Sequence, residues 1–157
     1  MKVLPTWLDA DGVGEVVITD WNSREAFVYE HEKVSIIRVT NVDYWSLPQA
    51  FNIAARFSKG DIYAKLDADY KILNPSFFTN VGLEEGTFIN GRAGRDKKGA
   101  PIRLDAGYLN GFFYLYRDDF WKIHGFDERM HGYGWDDCDL ARRLQKISIK
   151  MKGCHME

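Results

Sequence analysis

Asp61-Ile-Tyr-Ala-Lys-Leu-Asp-Ala-Asp69 is the stretch on which the fold turns. Its first six residues read as a short strand, and Asp67-Ala-Asp69 then sets two acids at the C-terminal end of that strand, where open α/β sheets place their ligands. Residues two apart on an extended backbone point the same way. Both carboxylates can therefore share one divalent cation, or divide a cation and a ribose between them. A hard ion such as Mg²⁺ or Mn²⁺, held by carboxylates and diphosphate oxygens, would neutralise a nucleotide leaving group. The plainer reading is a pair of surface acids in a turn, and an isolated match of this kind favours it. The surrounding sequence decides otherwise.

Upstream, Glu15-Val-Val-Ile-Thr19 is a β-branched run that ends at the turn formers Asp20-Trp-Asn-Ser23. Before it, Val3, Leu4, Trp7 and Leu8 fall at helical spacing until Asp11-Gly12 breaks the pattern. Val34 to Val39 reads as a second strand, and Pro48 to Ser58 as a helix with proline in its first turn and Gly60 just past its end. Strand, connection, strand, helix, strand is the grammar of an α/β sheet with mostly parallel strands flanked by helices. Downstream, Thr87 to Asn90 and Ile102 to Leu104 flank a glycine- and lysine-rich loop, Gly91 to Pro101. Phe112 to Tyr116 is a further strand, and Arg117 to His124 a short helix that stops at Gly125. Asp136 opens the last helix, with acids at Asp136, Asp137 and Asp139 in its first turn and bases at Arg142, Arg143 and Lys146 toward its end, as the helix dipole favours. Leu140, Leu144 and Ile147 form its apolar stripe.

A second constellation is His131-Gly-Tyr-Gly-Trp-Asp-Asp-Cys-Asp139. The glycines let backbone approach a ligand closely, and Tyr133 and Trp135 supply stacking faces. Asp136 and Asp137 follow at the mouth of the helix, and adjacent carboxylates raise each other's proton affinity, which suits one of them to general-base work. Stabilising the helix start accounts for the acids, but not for the glycine and aromatic run before them.

Composition sets the bounds. With 157 residues, 21 Lys plus Arg against 23 Asp plus Glu, and a net charge of -2, the chain lacks the basic excess of a nucleic-acid binder. Its length points to a single domain spanning residues 1–157. Cys138 and Cys154 form no CxxC pair, which argues against structural zinc or a disulfide scaffold and fits a reducing compartment. No apolar run approaches the roughly 20 residues of a membrane helix, so the expected placement is cytoplasmic, with peripheral membrane attachment as the alternative.

Lys65-Leu-Asp-Ala-Asp69 is preceded by Ala50-Phe-Asn-Ile-Ala-Ala55 and Lys59-Gly-Asp61, and followed by Gly107-Tyr-Leu-Asn-Gly111, Gly125-Phe-Asp-Glu128, Gly134-Trp-Asp-Asp137 and Leu140-Ala-Arg-Arg-Leu144. Taken together, this order resembles the GT-A class of nucleotide-sugar glycosyltransferases, nearest to family 2 enzymes and the C-terminal part of the β-1,4-galactosyltransferase type. The resemblance spans Glu15 to about Ile149 and implies a mixed, mainly parallel GT-A sheet flanked by helices. It implies that Asp20 contacts the nucleotide base and that Asp69 binds Mn²⁺ or Mg²⁺ on the donor diphosphate, with Asp67 reaching toward ribose or the metal. Asn110 and Gly111 would lie along the donor sugar, with Trp135 also on the donor side. Asp137 would be the general base of an inverting transfer, and Asp136 its partner for acceptor or donor sugar. Two departures from the family stand at the ends. The first donor-binding strand and the segment after the last helix are expected to be missing, and His155, the only histidine after that helix, sits in a tail as a weak candidate third metal ligand. His124 and His131 read as structural or acceptor-side residues. The basic loop Gly91 to Arg103 could close over diphosphate or attract an anionic glycan or lipid phosphate, and a solvated hairpin is its equal alternative.

The expected activity is therefore transfer of a sugar from a nucleoside diphosphate sugar, UDP first among them, to a saccharide or glycolipid acceptor, with homo-oligomerisation left open. The alternative is a non-catalytic nucleotide- or carbohydrate-binding module on the same fold. A nucleotidyltransferase would need a glycine-rich phosphate loop that Gly12-Val-Gly14 is too short to supply.

Overall fold

A computed structural model describes residues 2–93, 111–132 and 134–156, with backbone alone at 91–93 and 154–156. In chain order the elements are α1 (Leu4–Leu8), β1 (Val16–Trp21), β2 (Val34–Val39), α2 (Leu47–Phe57), β3 (Ile62–Lys65), α3 (Phe77–Asn80), β4 (Thr87–Ala93), β5 (Phe113–Tyr116), α4 (Arg117–Lys122), α5 (Asp136–Lys146) and β6 (Lys150–Met156). β1 and β2 form a parallel pair, and a second sheet runs β3-β5-β4-β6. In that sheet β5 is antiparallel to both β3 and β4, while β6 is parallel to β4. Three strands thus share one direction and β5 alone opposes them, the mixed sheet that the sequence suggests.

Side-chain alternation sorts this sheet into two faces. Tyr63, Phe88, Phe113 and Leu115 join Phe120, Ile123, Leu140, Ala141 and Leu144 in one core beneath α4 and α5. Ile89 and Phe112 join Ala10 and Phe78 in a second core on the other face. The apolar stripe of α5 is Leu140, Ala141 and Leu144, whereas the expected Ile147 is exposed, because the helix ends at Lys146 and Ile147 is its C-cap.

Three motifs of the sequence meet in one structural knot. Asn52 of α2 is fully buried, donates to the Phe126 carbonyl at 2.9 Å and accepts from the Phe126 amide at 2.9 Å. A Cβ on Gly125, whose φ is +71°, would stand 2.5 Å from Asn52 Oδ1. Arg143 of α5 donates to the Ile123 and Gly125 carbonyls at 2.8 and 2.6 Å. This knot fixes the chain that leads into the first turn of α5.

Elsewhere the structure corrects the sequence reading. β4 continues through Ala93, so the basic loop does not begin at Gly91. Residues after α5 do not trail off as a tail: Lys150–Met156 form a strand whose register runs Thr87↔Lys150 to Ala93↔Met156. A strand therefore follows α5, because β4 offers an open edge whose hydrogen-bonding groups β6 satisfies. α3, a single turn, had no signal of its own in the sequence. The expected strand Ile102 to Leu104 and most of the basic loop lie outside the described residues. Among the described residues, no helix is long and apolar enough to cross a membrane.

Candidate active site

Alternation along β3 puts Tyr63 and Lys65 on the α5 face, and continuing it puts Asp67 there too. Lys65 is 8% exposed, an unusual burial for an ammonium. Its Nζ lies 3.0 Å from Asp67 Oδ1 and 3.1 Å from Asp137 Oδ1, and 4.6 Å from the Phe51 ring centroid. Two acids that are far apart in sequence thus share one cation. An aromatic face closes the cage.

Asp137 stands in the first turn of α5, where the helix dipole favours an anion. Burial raises its pKa to about 6, against the pull of Lys65, and Asp136 and Asp67 push the same way as burial. Tyr70, just past the acids, reports the same concentration of charge. Its phenol is pushed up to about 12 by burial and then by Asp67, Asp69 and Asp137. Those three acids therefore occupy one neighbourhood. Asp136 is buried beside them, and Asp69 is exposed.

The loop after Asp69 is held by the N-terminal helix, a role the sequence did not suggest. Trp7 Nε1 donates to the Tyr70 carbonyl at 2.7 Å, and Thr6 Oγ1 accepts from the Ile72 amide at 3.1 Å.

Gly111 has a physical reason to be glycine. Lys65 pairs with Phe113 across the β3–β5 ladder, so two residues further along Gly111 stands opposite Asp67. A Cβ there would lie 1.9 Å from Asp67 Oδ2. The carboxylate can rotate away more cheaply than the backbone can move, so Gly111→Ala is expected to keep the fold and displace Asp67. Misplacement by about 1 Å costs on the order of 10²-fold in rate. Any turnover that relies on Asp67 should fall by that factor in Gly111→Ala, measured beside its melting temperature, with little change in stability. Turnover at the wild-type rate would show that Asp67 need not stay where it is.

The chain just before the acids of α5 is rich in glycine and aromatic residues. Trp135 caps α5 in the left-handed region at φ 71° and is 71% exposed. A bulky residue in that conformation is strained, and such strain clusters at functional sites. Gly132 and Gly134 also have positive φ, with open space where a Cβ would project. His131 meets the Tyr44 ring edge-on at 5.6 Å.

Asp20 takes no part in the Lys65 cage. Buried at the end of β1, it accepts from Arg38 at 3.2 Å and from the Phe27 amide at 3.1 Å. Hydrogen bonding from Ser23, then from Phe27, and the Arg38 charge hold its carboxyl below the usual range against burial. Its carboxylate therefore organises the turn after β1. Asn110 and Tyr133 lie outside the described residues, as does the side chain of His155.

The family described as the N-terminal domain of galactosyltransferase matches residues 97–157. Human beta-1,4-galactosyltransferase 4 is 34% identical over 58 residues, which is 37% of this chain and 17% of that protein. Among solved structures, the catalytic domain of Drosophila beta1,4galactosyltransferase 7, in complex with xylobiose, has a TM-score of 0.58 at 15% identity, covering 76% of this chain and 50% of that one. The mannosyltransferase PcManGT from Pyrobaculum calidifontis, in complex with GDP-Man and Mn²⁺, has a TM-score of 0.70 at 14% identity, covering 99% of this chain and 52% of that one. The chain thus spans about half the length of these solved relatives. Its fold is that of the GT-A glycosyltransferases, and its C-terminal part is galactosyltransferase-like in sequence.

Proposed function

We propose that this chain is an inverting glycosyltransferase that moves a sugar from a nucleoside diphosphate sugar, UDP-sugar in the first instance, to a hydroxyl of a saccharide or glycolipid acceptor. The observation that carries this reading is the shared cage: Lys65 binds the half-buried Asp137 and the strand-end acid Asp67 at once. The relatives supply the class of chemistry, since one is described with xylobiose and another with GDP-Man and Mn²⁺.

Asp137 takes the proton from the acceptor hydroxyl as that oxygen attacks the anomeric carbon from the face opposite the leaving group. The new C–O bond forms as the bond to the diphosphate breaks, and the nucleoside diphosphate departs with the electron pair. Asp136 steadies the acceptor or the donor sugar. Gly111, with Asn110, lines the donor sugar, Trp135 provides a stacking face on the donor side, and the turn that Asp20 holds forms the nucleotide-base wall.

The donor set suits a hard divalent cation. Asp67 and Asp69 offer carboxylate oxygens and no soft ligand. Among the described residues no group of three or more His, Cys, Asp or Glu is gathered to cage a metal. Two such carboxylates suit Mg²⁺ or Mn²⁺, with substrate phosphates and water completing the coordination. Bound there, the ion would supply positive charge for the diphosphate leaving group.

Two expected results test this reading. Mn²⁺ should strengthen UDP binding in calorimetry, and Asp69→Asn should remove that strengthening. Equal affinity with and without metal would contradict the assignment of Asp69. Second, the base must be ionised, so kcat/KM should fall about tenfold per pH unit below the Asp137 pKa of about 6 and level off above it. A profile flat from pH 5 to about 8 would remove Asp137 as the base. The same shift has a cost in stability. The folded protein holds this proton more tightly than the unfolded chain, so the contribution is lost as pH rises from 3.8 through about 6.

A further inference from the structure

At the end of β3 opposite to the acids lies a second pocket, and we propose that it binds a phosphate group. Its cavity of about 350 Å³ is lined by Arg56, Arg117, Trp121 and His124. These residues come from the last turn of α2, from α4 and from the residue two past the end of α4. Tyr63, two residues before Lys65 on the same face of β3, accepts from Trp121 Nε1 at 3.2 Å and donates to the Ala55 carbonyl at 2.8 Å. Those bonds fix the indole that forms one wall. The pocket and the acid cluster therefore sit at the two ends of one short strand, and the donor site does not account for it.

Three features favour an anion. First, the guanidinium of Arg56 lies 5.7 Å from the Trp121 ring centroid, and Arg117 is tethered through Nη1 to the Lys59 carbonyl at 3.5 Å. Both are steered by uncharged partners. Second, among the described residues neither arginine takes part in an ion pair. Asp119, the nearby buried acid on α4, is already paired with Lys122 at 2.7 Å. Third, His124 adds a ring N–H donor and is held at φ 61°, a conformation that non-glycine residues rarely adopt. Two guanidinium groups and an imidazole line the cavity, and no lining side chain is an acid. A guanidinium presents its N–H groups as a fork that matches phosphate oxygens, which a carboxylate-free pocket leaves available.

The phosphate could belong to a soluble compound or to a lipid headgroup, and Phe57, 60% exposed beside Arg56, would suit a membrane surface. The full chain, kept in chelator so that the acids hold no metal, would be titrated with inorganic phosphate by calorimetry. In parallel it would be floated with vesicles of phosphatidylcholine alone and of phosphatidylcholine mixed with phosphatidic acid. Saturable binding of free phosphate supports a soluble ligand, and binding only to the acidic vesicles supports a headgroup. In either case Arg56→Gln/Arg117→Gln should weaken binding at least about tenfold, since two charge-assisted donors are lost. Asp69→Asn and Asp137→Asn should bind as wild type. The single variant Arg56→Gln, at an exposed position, guards against a folding defect in the double variant and should itself weaken binding. Binding of neither probe by wild type, or undiminished binding by the arginine variants, would overturn the proposal.

Discussion

Asp137→Asn should lower sugar transfer by about 10³-fold while donor binding persists. A positioned general base contributes roughly 10² to 10⁴-fold, and asparagine keeps the shape of the side chain but cannot accept the proton. The structure makes the variant informative, because Lys65 keeps Asp67 as a partner at 3.0 Å after Asp137 loses its charge. The fold should therefore hold and the loss should appear in kcat. Steady-state kinetics with donor and acceptor varied separately would show it. A variant that transfers within about threefold of wild type would mean that another group takes the proton.

Lys65→Met should destabilise the protein by about 3 kcal/mol, the lower end of the range for removing one partner of a buried pair. Methionine keeps a straight stem over Phe51, so packing changes little and the effect isolates the charge. Asp137, with its side chain 18% exposed, is then left without its cation, whereas Asp67 at 38% can turn to water. A loss of that size corresponds to about 6 to 12 °C in melting temperature for a chain of this length. The sign of its pH dependence follows. Without the ammonium, the folded carboxyl holds its proton more firmly still, so the defect should shrink in mild acid and grow toward pH 8. Adding Asp137→Asn to Lys65→Met should restore most of the lost stability, since the carboxylate that Lys65 held at 3.1 Å is gone with it. Additive losses in the double variant would show that Lys65 and Asp137 are not energetically joined. Transfer by Lys65→Met should also fall, because the base loses the contact that sets its position.

How much of this could be read from the sequence varied with the kind of contact involved. Asp67, Asp69 and the Asp136-Asp137 pair were legible because acids at a strand end and at a helix start follow from local pattern. Lys65 was not, because nothing local distinguishes a lysine that water meets from one that a distant helix covers. Its partner Asp137 lies 72 residues away, and only the packing of α5 on the sheet brings them together. Gly111 was legible as part of a resemblance, but its reason depends on strand register, which the sequence does not print. β6 read as a tail because Lys150-Met-Lys-Gly-Cys154 has weak strand character of its own. Its pairing with β4 is a non-local contact, and strand formation depends on such context. The hold of Trp7 and Thr6 on the loop after Asp69 was hidden for the same reason. Asp20 was found as a residue of note, but its burial with Arg38 gives it a structural task that its place at a strand end did not reveal.

The most direct test is release of nucleoside diphosphate from uridine and guanosine diphosphate sugars, with and without Mn²⁺ and with a saccharide acceptor present. Wild-type protein should release it only with metal, faster with the acceptor, and Asp137→Asn should remove the acceptor-dependent part. Nucleotide binding that needs no metal and leads to no release would instead make this chain a binding module on a glycosyltransferase fold.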